Sequence, residues 1–291
     1  MAAAEIFSGL LHIGMFRPAR KIGKLELHLV HACNLTCESC SHYSNQGHKG
    51  MLSLKDADDW MRLWKRRIRP KQFSLLGGEP TMHPDLPQFI VLARKHWSRA
   101  HVRVMTNGFF LHRHPDLPKV VQKDPNASIY VSVHHDAPEY LEKFGAIREL
   151  LDGWVRDYGI RVTYFDSYKN WTRRYKGFGP AIEPFEDGQP RESWGHCPAK
   201  YCPQLFEGRI WKCAPLAYLR MQDDRHHLSE KWKPYLQYQA LQPDCTPKQL
   251  NEFFEREEEP ACGMCPARPE RFELPLPLKS ANRAASAQAI A

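Results

Sequence analysis

Residues 30–43 read VHACNLTCESCSHY, which puts Cys33, Cys37 and Cys40 inside eight positions as C-x3-C-x2-C. The stretch leaves the apolar run KLELHLV (24–30), so the three thiols sit on the loop after a strand. Three cysteines this close point to metal ligation. A structural zinc ion wants four protein ligands, and the flanking His31 or His42 would supply the fourth. A [4Fe–4S] cluster takes one thiolate per iron, so three suffice when one iron is kept for an outside ligand. The spacing leaves both open.

Outward from the loop, short strands and helices alternate. QFSLLG (72–77), HVRVMT (101–106), SIYVSV (128–133) and IRVTYF (160–165) follow the first strand as further strands. Between them, helices are predicted over 53–68, capped by Ser53, over 85–97 and over 138–159, with a short helical piece at 115–123. This alternation predicts right-handed βαβ units around a parallel sheet, either doubly wound or an incomplete barrel. Residues 24–166 form this domain after an extension at 1–23. The aromatic, charged stretch 167–196 reads as a linker or substrate loop. A cysteine-rich segment spans 197–270, and the tail 271–291 reads as disordered.

The second strand ends in LLGGEP (75–80): Gly77 and Gly78 permit close backbone approach, Glu79 offers a carboxylate and Pro80 fixes the exit. Strand C-terminal ends are where βα folds gather ligand groups. The third strand ends in Thr106 and Asn107, and the fourth in Ser132, His134 and His135.

A three-cysteine loop followed one βα unit later by Gly-Gly-Glu-Pro resembles the radical S-adenosylmethionine (SAM) superfamily. The resemblance implies a partial (β/α)6 TIM-like barrel. It also implies a [4Fe–4S] cluster on Cys33, Cys37 and Cys40, with SAM chelating the open iron. Gly77, Gly78, Glu79 and Pro80 would hold its methionine end, and Thr106, Asn107 and Ser132 its ribose and carboxylate. The residue before the third cysteine is aromatic in most of the family. Here it is Ser39, which leaves the adenine to Tyr43 as a substitute platform or to the backbone. The implied chemistry is one-electron cleavage of SAM to a 5′-deoxyadenosyl radical that abstracts hydrogen, fed by a reductant such as flavodoxin or ferredoxin.

In CPAKYCPQLFEGRIWKC (197–213), Glu207-Gly208 reads as a two-residue hairpin turn. Counting outward sets Phe206 against Arg209, Leu205 against Ile210 and Cys202 against Cys213. Opposed thiols can share a metal centre. CGMC (262–265) adds Cys262 and Cys265. Hairpin plus C-x2-C is also zinc-ribbon grammar. Beside the barrel motifs, the segment resembles the twitch (SPASM-like) auxiliary-cluster domain of radical SAM dehydrogenases, the deoxy-scyllo-inosamine dehydrogenase type. Cys197, Cys202, Cys213, Cys262 and Cys265 compete for four positions on a second [4Fe–4S] cluster, and Cys245 stands alone.

Composition excludes several classes. No run reaches the ~18–20 apolar residues of a membrane span, and the basic residues follow the N-terminal apolar patch, the wrong order for a secretory signal. Nine cysteines, mostly clustered, suit metal ligation in the cytoplasm better than disulfides. The chain carries +8 formally, densest at RLWKRRIRPK (62–71), read as a solvated helix face or a site for an acidic partner. The first functional reading is an oxidoreductase, or related radical enzyme, on a small polar substrate such as a sugar or cyclitol. His134, His135, Asp136, Tyr164 and Asp166 are its candidate substrate and proton groups. Maturation of a peptide, and a zinc-stabilised module binding nucleic acid, are the alternatives. The oligomeric state is left open.

Overall fold

The computed structural model describes residues 19–278. Five parallel strands carry the architecture: β1 (Arg20–His28), β2 (Ile68–Leu76), β3 (His101–Thr106), β4 (Ala127–Val133) and β5 (Val162–Asp166). They lie side by side in chain order. Helices α1 (Leu54–Trp64), α2 (Leu86–His96), α3 (Leu117–Gln122) and α4 (Pro138–Tyr158) make the crossovers. The fold is a partial, TIM-like barrel, as the family resemblance implies, and not the doubly wound sheet that the alternation also allowed.

Alternation in β1 sorts its side chains. Leu25 and Leu27 are fully buried in the main core with Met61 and Trp64 of α1. Glu26 and His28, on the opposite pleat, are buried as well. Helix α1 starts at Ser53, whose Oγ accepts from the Asp56 N–H at 3.0 Å. It stops at Trp64, short of the predicted residue 68. Pro70 disfavours helical backbone at Arg69, and Ile68 already opens β2. The basic run is therefore split between a helix end and a strand and makes no single cationic face. Arg67 is spent on the carbonyls of Pro243 and Cys245.

A short strand β6 (Trp171–Thr172) follows the barrel. Helix α5 (Pro190–Gly195) and the hairpin β7 (Gln204–Phe206) and β8 (Arg209–Trp211) come next. The register is the predicted one, with Leu205 opposite Ile210 and Phe206 opposite Arg209. Gly208 takes φ 71° at the turn. β7 pairs in parallel with β1, Glu26 beside Gln204. The hairpin thus extends the main sheet beyond β1, where a further barrel strand would lie. A second core gathers Tyr43, Tyr175, Trp211, Tyr218 and Trp232.

The expectation of a disordered tail fails for its first eight residues. β9 (Arg271–Phe272) pairs with β6, and the Pro277 carbonyl accepts from the Thr36 N–H at 2.8 Å on the cysteine loop. The remainder of that tail and most of the 1–23 extension lie outside the described residues. Among the described residues no helix is long and apolar enough to cross a membrane.

Candidate active site

A cavity of about 450 Å3 opens at the C-terminal ends of the barrel strands. Cys33, Cys37 and Cys40 line it together with Gly77, Gly78, Glu79, Thr106, Asn107, Ser132 and His134. The first loop and three later strand ends, far apart in sequence, thus meet around one space.

The two glycines do something the sequence did not specify. A Cβ on Gly77 would stand 2.7 Å from the Val30 carbonyl oxygen, and one on Gly78 2.2 Å from that of Ala32. Gly78 N–H donates to Val30 O at 2.6 Å, and Glu79 N–H to Ala32 O at 3.0 Å. The glycines seat the backbone of the cysteine loop directly on the end of β2.

Glu79 is a buried hub. Its Oε1 accepts from the Thr81 N–H at 3.0 Å and the Thr81 hydroxyl at 2.5 Å. It also accepts from the Thr106 hydroxyl. Oε2 accepts from the Asn107 N–H at 2.8 Å. Burial raises its pKa, and the Thr106 and Thr81 hydroxyls pull it back. The carboxylate locks the ends of β2 and β3 together. Pro80 is buried and does not line the cavity.

The thiols are embedded in donors. The Leu35 N–H points at the Cys33 sulfur at 3.4 Å, and Asn107 Nδ2 reaches it at 3.8 Å. Backbone N–H groups of His42, Ser44 and Asn45 face Cys40. The Cys37 sulfur lies 3.5 Å from His134 Nδ1. Desolvation, with Cys40 and Cys33 close by, drives the Cys37 thiol well above its ordinary pKa. Such a site keeps its protons until a cation displaces them. Three thiols with donors aimed at their sulfurs fit a thiolate-held cluster. Among the described residues no three His, Cys, Asp or Glu side chains stand close enough to share one metal ion. A cube in which each thiolate meets its own iron asks for wider spacing.

Other expectations are redirected. Tyr43 does not line the cavity. It sits at φ 54°, which turns its ring into the second core to stack on Tyr175 at 4.9 Å between centroids. Ser39 lines the cavity, but its hydroxyl donates to Tyr175 O at 3.1 Å and accepts from the Arg174 N–H at 2.7 Å. It tethers the linker to the loop. His135 receives the Ala137 N–H at 2.8 Å on Nδ1 and stacks on Tyr168, away from the cavity. Tyr164 faces α4, against Phe144 and Arg148. Its neighbours Phe165 and Asp166 line the cavity instead, Asp166 paired with Lys169 at 2.7 Å. Asp136 is exposed. Desolvation pushes the pKa of His134 down to about 4.

Sequence reasoning missed two groups. Glu26 lines the cavity wall, held by Gln204 Nε2 at 2.6 Å and by the Cys202 thiol. Burial raises its pKa despite those bonds. A carboxylate inside an apolar parallel strand was the available signal. Arg174 also lines the cavity, is buried, and hydrogen-bonds the Cys265 sulfur.

The remaining cysteines sort themselves. Cys197, Cys213, Cys262 and Cys265 line one small compartment beside α5. Desolvation and the neighbouring sulfurs drive Cys213 well above its ordinary pKa. Desolvation takes Cys265 up to about 12, with Arg174 pulling the other way. Cys202 is elsewhere. Pro203 ends the ladder, and the Cys202 thiol turns to Glu26 instead of Cys213.

Residues 27–165 match the Radical SAM superfamily. That stretch is a Radical SAM domain. It is 32% identical over 100 residues to GTP 3′,8-cyclase of Photorhabdus laumondii, covering 33% of this chain and 29% of that one. It is 34% identical over 87 residues to 7,8-dihydro-6-hydroxymethylpterin dimethyltransferase of Methanocaldococcus jannaschii, covering 28% and 17%. The chain thus spans less than a third of either relative's length. Among solved structures it is similar to BtrN in complex with AdoMet and 2-DOIA, at 17% identity and TM-score 0.48 over 82% of this chain and 84% of that one. It is also similar to Streptococcus suis SuiB bound to precursor peptide SuiA, at 12% identity and TM-score 0.42 over 83% and 66%. Membership of the family implies SAM and a [4Fe–4S] cluster as cofactors.

Proposed function

We propose that this enzyme is an oxidoreductase acting on a small polar substrate, such as a sugar or cyclitol, with a second cysteine-held [4Fe–4S] cluster. The observation that carries this reading is the sorting of the cysteines. Cys33, Cys37 and Cys40 line the main cavity, Cys202 lines its wall beside Glu26, and Cys197, Cys213, Cys262 and Cys265 share a separate small compartment. Arg174 adds support. It is buried and has no carboxylate partner among the described residues. A guanidinium so held wants an anion, and four thiolates on a cluster would supply one beside Cys265.

In this reading Cys33, Cys37 and Cys40 hold the SAM-binding cluster, and Cys197, Cys213, Cys262 and Cys265 hold the second. When bound, the clusters supply one-electron chemistry and an open iron for SAM. The chain's own residues do the rest. Gly77, Gly78 and Glu79 seat the cysteine loop and shape the methionine end, with Thr106, Asn107 and Ser132 beside it. Glu26 accepts the proton of a substrate hydroxyl: it is a carboxylate on the cavity wall, and burial raises its pKa. The cavity of about 450 Å3 suits SAM with a small partner. A flavodoxin- or ferredoxin-type donor supplies the reducing electron.

Iron and sulfide analysis tests the reading. The reconstituted chain should hold about eight irons, and Cys262→Ala about four. Cys202→Ser should keep about eight. A wild-type count near four removes the second cluster and the oxidoreductase argument with it. Release of 5′-deoxyadenosine is then measured against sugars, cyclitols, nucleotides and peptides. A response to peptides alone would favour peptide maturation.

A further inference from the structure

His134 follows β4, where the sequence suggested a proton acceptor. Its surroundings give it a different task. Nδ1 lies 3.5 Å from the Cys37 sulfur and Nε2 lies 3.0 Å from Ser132 Oγ. The backbone N–H donates to the Tyr140 hydroxyl at 3.0 Å, and Trp171 packs edge-on at 6.4 Å between centroids. Both ring nitrogens face protein groups, so neither is left for substrate.

A neutral imidazole has one N–H, and its partners decide which nitrogen carries it. Ser132 has one hydroxyl proton and two acceptors in reach, His134 Nε2 and the Thr106 carbonyl at 3.2 Å. If Ser132 donates to Thr106, Nε2 carries the ring proton, and Nδ1 can only accept from a Cys37 thiol. If Ser132 donates to Nε2, the ring proton sits on Nδ1 and points at sulfur. A metal-bound thiolate has no proton to give. Only the second arrangement then makes a bond at both ends of the ring.

We propose that His134 is a positioning residue that donates an Nδ1–H hydrogen bond to the Cys37 thiolate, with Ser132 selecting the tautomer, and that this bond raises the reduction potential of the cluster on the first loop. The proposal rests on the reading that Cys33, Cys37 and Cys40 hold that cluster. The direction follows from charge. Reduction adds one electron to an assembly already bearing thiolates, and a donor on a sulfur stabilises the more negative state more.

The test is an EPR-monitored redox titration of reconstituted protein, with dithionite as the electron source, following the signal that changes when SAM is added. His134→Leu should move the midpoint to more negative potential at wild-type iron content. His134→Asn, whose amide N–H sits near the position of Nδ1, should restore most of the shift. Ser132→Ala, which frees the tautomer, should fall between. A His134→Leu midpoint equal to wild type overturns the proposal. If His134→Leu does not load iron, Ser132→Ala decides: a negative shift supports the bond, and an unmoved midpoint overturns it. Failure of the underlying reading looks different. There the wild-type chain itself shows no SAM-sensitive signal, and Cys37→Ala loses no iron.

Discussion

Gly78→Ala is the sharpest probe of how the cysteine loop is held. The added Cβ would lie 2.2 Å from Ala32 O, 2.5 Å from Ala32 C and 3.0 Å from Cys33 N. All three are backbone atoms, so no side chain can swing aside. Ordinary contact begins near 3.4 Å, so the loop must retreat by about 1 Å. Overpacking of this kind costs about 1–3 kcal/mol. The retreat also strains the Gly78 N–H bond to Val30 O and the Glu79 N–H bond to Ala32 O, about 1 kcal/mol each. A local penalty of roughly 3–5 kcal/mol is a factor of at least about a hundred in how often the loop is seated. The expected result is loss of the first cluster with the second retained, so that iron falls to about half of wild type and SAM no longer alters the EPR spectrum. Chemical denaturation of the cluster-free chain should show reduced stability in parallel. Wild-type iron content and an unchanged unfolding midpoint would refute this account of the glycine.

Gly145, inside α4, has open space where an added methyl would stand, with nothing within 4 Å, so Gly145→Ala should stabilise by about 0.5–1 kcal/mol, read from denaturant midpoints, with iron content unchanged. Glu26 has a folded-state pKa above its unfolded value because it is buried. The folded chain therefore binds more protons than the unfolded one above pH 4.5, and Glu26 takes stability away as pH rises through that window. Glu26→Gln should flatten this decline between acid and neutral pH; identical pH profiles for the two proteins would contradict it. The same variant should leave SAM-sensitive EPR intact while suppressing product formation once a substrate is found. Thr106→Val removes one of the donors to Glu79 and should cost about 1–2 kcal/mol, measured by thermal or chemical unfolding.

The parallel alternation of strands and helices was legible because the strands are short apolar runs at regular distances, and because Ser53 and Gly159 mark helix ends that the structure keeps; the choice of a barrel over a doubly wound sheet came only from the family resemblance. The cysteine loop and the Gly-Gly-Glu-Pro strand end were legible because few other arrangements demand those residues. What escaped was set by tertiary register. Glu26 meets Gln204 only because β7 pairs beside β1, a contact across 178 residues. Tyr43 was read as a cavity residue because left-handed backbone at that position cannot be read from spacing. Tyr164 was misread because it packs on α4. Cys202 and Cys213 were counted onto one face correctly for an ideal hairpin, but Pro203 ends the ladder before reaching them.

The most direct measurement of the central claim is the EPR spectrum of the anaerobically reduced chain before and after SAM is added. A cluster on Cys33, Cys37 and Cys40 with an open iron predicts a brown protein. SAM should change part of its spectrum in the wild type and leave it unchanged in Cys37→Ala. A colourless protein carrying stoichiometric zinc, or a spectrum indifferent to SAM, would contradict it.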